Sequence, residues 1–84
     1  MNKVELNMHG TSVSNFALLF VEVLGVTRQG VGYTKVASSP VGRQYSHDYN
    51  TGTITFDPDS SQELVPGPTE PLSGIYEQIH VLYK

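Results

Sequence analysis

The chain reads as all-β, a small single-domain sandwich or partly open barrel of roughly five to seven mostly antiparallel strands. Three stretches carry that reading. Arg43 to Phe56 is a hairpin: Tyr45, His47 and Tyr49 alternate before the turn residues Asn50-Thr51-Gly52, and Ile54 and Phe56 alternate after them. Ile75 to Tyr83 alternates with Ile75, Ile79, Val81 and Tyr83 on one face, a closing strand. Lys3 to Met8 alternates polar and apolar residues and opens the sheet.

Taken in order, the first strand, Lys3–Met8, is half-buried and is followed by turn residues at His9-Gly10-Thr11-Ser12. Phe16 to Val26 is apolar almost throughout. The β-branched Val21, Val23 and Val26, with Gly25, favour a central strand covered on both sides. A short helical turn near residues 15–19 is the alternative, because Phe16, Phe20 and Val23 or Leu24 share a helical face. Thr27-Arg28-Gln29-Gly30 reads as a polar turn, Val31–Val36 as another alternating strand, and Ala37–Gly42 as a connection. In the hairpin, pairing Tyr49 with Ile54 and His47 with Phe56 puts every large ring on one side, and that demands a loop of even length. Gly52 is the residue expected at positive φ. From Asp57 to Gly74 the periodicity stops, and four of the five prolines (Pro58, Pro66, Pro68, Pro71) fall there with Asp57, Asp59, Glu63 and Glu70. That Pro-rich acidic loop at 57–74 is long for a compact domain, and its prolines keep it from adding a strand to a neighbour.

Length and composition set bounds. The 84 residues make one domain, 1–84. A chain of this size buries only about 60–65% of its unfolded surface. Cysteine is absent, which excludes disulfides, thiolate zinc sites and thiol catalysis. Two routes to stability remain: a well-packed core, or burial of further surface against another subunit. Lys3, Arg28, Lys35, Arg43 and Lys84 are scattered and the formal charge is −3, so no phosphate-binding cluster forms and nucleic acid is not an expected partner. The beginning of the chain lacks the pattern of a signal peptide. The apolar run Phe16–Val26 is about half the roughly 20 residues that cross a bilayer. A soluble chain, cytoplasmic or virion-associated, without membrane partners is the expectation.

Chemistry is sparse. His9, His47 and His80 lie on separate segments without metal-ligand spacing, so no metal is expected. Asp57-Pro58-Asp59-Ser60-Ser61-Gln62-Glu63 places oxygens at alternate positions, but it lacks the central glycine and the distant glutamate of a calcium loop. Asp57 and Asp59 read as turn caps. Ser46-His47-Asp48 is a tempting triad, yet strand neighbours point to opposite faces, so Ser46 and Asp48 point away from His47. Gly25, Gly30 and Gly32 form no phosphate loop. No catalytic residue, metal or cofactor is assigned, and the chain is not expected to be an enzyme. The remaining signal is contact surface: the tyrosines Tyr33, Tyr45, Tyr49 and Tyr83, and the apolar Leu64 and Val65 of the long loop.

The segments Gly42–Phe56 and Ile75–Lys84 together resemble small β-sandwich modules of bacteriophage tail and other virion proteins. In those modules a tyrosine strand, an Asp-x-x-x-Gly-x-Ile-x-Phe hairpin and a closing Ile-x-Val-x-Tyr strand follow in that order. The resemblance covers about a third of the chain and implies assembly work.

The expected function is therefore a non-enzymatic structural or interaction module, acting in a homo-oligomer or a phage-like assembly through itself or other assembly proteins. The alternative is a small sugar- or peptide-binding β module that uses an aromatic sheet face.

Overall fold

The computed structural model describes residues 1–58 and 77–84. Most of the expected loop at 57–74, with Leu64 and Val65, lies outside the described residues. The strands are β1 (Asn2–Met8), β2 (Ser12–Ser14), β3 (Val23–Arg28), β4 (Val31–Lys35), β5 (Gln44–Asp48), β6 (Thr53–Phe56) and β7 (Glu77–Tyr83). One 3₁₀ turn, Phe16–Leu18, stands between β2 and β3. The strands form a single mixed sheet in the order β1-β7-β3-β4-β5-β6-β2, nearly closed into a barrel. The all-β expectation holds, and closure removes most of the exposed edge that an open sheet would offer.

The pairings are antiparallel except β4 with β5, which run parallel over Thr34↔Gln44 and Lys35↔Tyr45. Between them residues 36–43 leave the sheet and return at almost the same height. Backbone bonds from Thr34 N–H to the Arg43 carbonyl and from Val36 N–H to the Tyr45 carbonyl pin the two feet of this excursion.

Inward-facing residues follow the strand alternation. Leu6 and Met8 of β1, Ile79 and Val81 of β7, Val23 and Val26 of β3, Tyr33 of β4, Tyr45 of β5, and Ile54 and Phe56 of β6 are buried. Leu18, from the 3₁₀ turn, is fully buried among them. A register shift between Val23 and Gly25 allows both Val23 and Val26, an odd number of residues apart, to point inward.

Three readings of the sequence change. The Phe16–Val26 run splits into a 3₁₀ turn and a strand. Asn15 caps the turn, its side-chain oxygen accepting from Ala17 N–H at 2.9 Å, and Phe20 at φ +58° breaks any extended continuation. Thr27 and Arg28 belong to β3, and the turn is only Gln29-Gly30, both at positive φ as a tight two-residue hairpin requires. The β5–β6 register pairs Tyr45 with Phe56 and His47 with Ile54, two residues from the expected one. The loop is still even, running from Tyr49 to Gly52, so the faces are as expected. The turn starts early because Asp48 anchors it twice: its carbonyl accepts from Gly52 N–H at 2.8 Å and its carboxylate from Asn50 N–H at 2.9 Å.

The most buried charged group was read from sequence as one of the scattered bases. Arg28 is 0% exposed, and Glu77 is 4% exposed beside it. Arg28 donates from Nε to Glu77 Oε2 at 2.8 Å and from Nη2 to Oε1 at 2.6 Å, a bidentate pair. Its guanidinium also lies 4.3 Å from the Phe56 ring centroid and 5.5 Å from that of Tyr33. The pair is diagonal across β3 and β7, where Arg28 sits opposite Ile79. Among the described residues, Arg28 Nη1 has no hydrogen-bond partner.

Tyr45 is 1% exposed, and burial pushes its phenol above the ordinary value of 10.0. Folding therefore favours the neutral phenol. The contribution is fully present below pH 10 and is lost as pH rises from there through the folded value. Denaturant titrations of wild type and Tyr45→Phe at rising alkaline pH check this: wild type loses stability more steeply than the variant, whereas parallel curves would contradict it.

Candidate functional site

The turn between β5 and β6 is locked onto the 3₁₀ turn. Asn15 N–H donates to the Gly52 carbonyl at 3.0 Å, and Phe20 N–H donates to the Tyr49 carbonyl at 2.9 Å. His47 reaches from β5 to the Leu18 carbonyl, Nε2 to O at 2.9 Å. Three hydrogen bonds, two between backbones and one from a side chain, thus fix one end of the barrel.

That end carries the exposed rings. Phe16 is 84% exposed, Phe20 63% and Tyr49 53%. Phe20 and Tyr49 pack edge to face with centroids 5.4 Å apart. Phe20 adopts φ +58°, a left-handed conformation that costs a non-glycine residue about 1–3 kcal/mol. The strain is held by the backbone bond to Tyr49, and its result is a large ring kept in water.

Next to it, on the outer face of β5 and β6, lies an open groove of about 640 Å³. Its floor is Ser46 and Asp48 of β5 with Thr53 and Thr55 of β6, which are register partners (Ser46↔Thr55, Asp48↔Thr53). The 36–43 excursion supplies a wall through Ser38, Ser39 and Pro40, and Tyr49 stands at the rim. The wall is tied down: Val41 N–H donates to Gln44 Oε1 at 3.0 Å and Gly42 N–H to Asp57 Oδ2 at 2.7 Å. Ser39 sits at φ +52°, a non-glycine residue at positive φ like Phe20 and Gln29.

Of the tyrosines expected on a contact surface, Tyr49 is exposed and Tyr83 is half-buried on the edge of the core. Tyr33 and Tyr45 are 7% and 1% exposed and belong to the core. The aromatic face of the sheet is thus its interior, because the barrel curls that face inward. Gly52 is at φ +68°, as expected. Sequence reasoning missed Phe16 and Phe20, which a strand reading placed inside. Ser12, expected in a turn, belongs to strand β2, and Asn15, which caps the 3₁₀ turn, was the available signal that the run starts outside the sheet.

The histidines stay apart. His47 bonds to Leu18, and His80 lies 3.4 Å from Glu5, its partner across β1 and β7. Among the described residues, no group of three or more His, Asp or Glu is placed to hold a metal ion. Alternation splits Ser46 and Asp48, on the groove floor, from His47, which points to the other face. Among the described residues, no helix is long and apolar enough to cross a membrane.

Fold and site together define a small, nearly closed mixed β-barrel with one rigid aromatic end. Compared with protein families, curated proteins and solved structures, the chain matches none. Function is therefore read from the residues and their geometry.

Proposed function

We propose that the chain is a non-enzymatic interaction module whose working surface is the aromatic end formed by Phe16, Phe20 and Tyr49, and that its first partner is a second copy of itself. The observation that carries this is Phe20, a phenyl ring held in water by a strained backbone. Leaving a phenylalanine in water forgoes about 1.5–3 kcal/mol of burial, and the backbone conformation adds its own cost. Two such rings on one locked surface make sense when association covers them. Low charge supports the same reading: 15% charged residues and a net −3 give copies little mutual repulsion. A larger assembly of the phage type would use the same surface.

Sedimentation velocity over a dilution series tests this with Phe20→Gly, because glycine accepts φ +58° without strain and the lost ring is exposed. The variant is expected to fold with stability within about 1 kcal/mol of wild type, the lost ring pair and the relieved strain offsetting each other. Wild type is expected to associate reversibly, and the variant to require at least roughly tenfold higher concentration. Wild type remaining monomeric throughout, or a variant associating equally well, would overturn the proposal.

A further inference from the structure

We infer that the groove on the outer face of β5 and β6 is a binding site for a neutral saccharide of a few sugar units. The groove adjoins the self-association surface and shares Tyr49 with it, although neither Phe16 nor Phe20 lines it.

The lining specifies the chemistry. Ser38, Ser39, Ser46, Thr51, Thr53 and Thr55 all contribute to it. Each hydroxyl both donates and accepts, so a row of them matches a ligand whose groups do the same. No lysine or arginine lines the groove, and His47, the one basic residue along it, has its Nε2 engaged with the Leu18 carbonyl at 2.9 Å, which leaves phosphate, sulfate and carboxylate ligands without a ready counter-charge. Asp48 is the one carboxylate. One of its oxygens is used by Asn50 N–H, and the other has no partner among the described residues, where it can accept from a sugar hydroxyl.

The floor divides into used and unused hydroxyls. Thr53 is engaged by Ser14 at 2.7 Å and by Thr51 at 2.9 Å. Ser46 and Thr55 face each other across the ladder and make no side-chain hydrogen bond with any described residue. These two, with Asp48, form a small triangle of available polar groups at fixed strand spacing. Tyr49 at the rim offers an amphipathic ring against which the C–H face of a pyranose can lie.

The site is also preformed. Its floor is a paired ladder, its wall is tied to Gln44 and Asp57, and the strain at Ser39 is of the kind found at ligand clamps. Little ordering remains to be done on binding, which favours affinity from few contacts. The volume, about 640 Å³, falls within the roughly 300–1,000 Å³ of small-ligand sites.

The test is an amide-resolved NMR titration of the full chain with cellobiose, maltose and N,N′-diacetylchitobiose at millimolar concentration. At least one is expected to shift the amides of Ser46, Asp48, Thr53 and Thr55 saturably. Asp48→Asn should keep the turn, since its amide oxygen can still accept from Asn50 N–H, and should weaken binding roughly tenfold. A Ser46→Ala, Thr55→Val pair should weaken it further while leaving the unfolding transition in place. The inference is overturned if none of the three sugars moves these amides, or if the shifts persist unchanged in both variants. It is equally overturned if tetramethylammonium or a glycine-serine peptide saturates the groove where the sugars do not.

Discussion

Replacing Glu77 with alanine is expected to remove about 3–5 kcal/mol of folding stability, because it leaves the Arg28 guanidinium charged and buried without its partner. For a chain of 84 residues the whole folding free energy is about 4–13 kcal/mol, so the single change brings the domain close to unfolding. The ring contacts from Phe56 and Tyr33 cannot compensate, since each contributes only about 1–2 kcal/mol to a desolvated cation. Removing both members is different. Arg28→Met with Glu77→Leu keeps approximate volume and deletes both desolvation penalties, and such replacements are often neutral or stabilising. Urea unfolding followed by circular dichroism is the measurement. The expected order is Glu77→Ala far below wild type, with the double variant restored to about wild type or above. A Glu77→Ala loss under about 1 kcal/mol would mean that the pair behaves as a solvated surface bridge.

The second large effect is at Gly52. A Cβ there would overlap the Asn15 carbonyl oxygen and crowd Leu19 N at 3.3 Å. These are backbone atoms, so nothing flexible can swing aside. The residue also sits at φ +68°, which costs an L residue about 1–2 kcal/mol on its own. Relief would require moving the 3₁₀ turn away, breaking the Asn15–Gly52 bond and shifting Leu18 from the core. Gly52→Ala is expected to lose about 3 kcal/mol or more in total. Gly10 is the control: it also has positive φ, but nothing lies within 4 Å of an added Cβ, so Gly10→Ala carries only the conformational cost. Equal losses at the two positions would contradict the lock between the turns.

The two positions also mark what the sequence made legible. Alternation in Tyr45–Tyr49, Ile54–Phe56 and Ile79–Tyr83 specified strands and relative faces, since side-chain direction in a strand repeats every second residue. It also separated Ser46 and Asp48 from His47. Alternation says which residues share a face but not which face becomes the interior. Closure decided that, and it moved Tyr33 and Tyr45 from an expected surface into the core. Arg28 and Glu77 were misplaced because charge argues for solvent. Their parity with Val26 and with Ile79 pointed inward, and mutual pairing removed the objection. The hairpin register slipped by two because Asp48 starts the turn with its own carboxylate, a local competition that face matching does not see. The groove needed the parallel β4–β5 pairing and the excursion between them, a non-local arrangement with no signature in residue order.

The central claim is that Phe16 and Phe20 are exposed in order to be covered. The chain contains three phenylalanines, and the third, Phe56, is 0% exposed in the core. Fluorine NMR of protein labelled uniformly with 4-fluorophenylalanine therefore yields two reporters and an internal reference. Across a dilution series the Phe16 and Phe20 resonances are expected to move together with concentration while Phe56 stays fixed. Three resonances that hold their positions from micromolar to millimolar protein would contradict the claim.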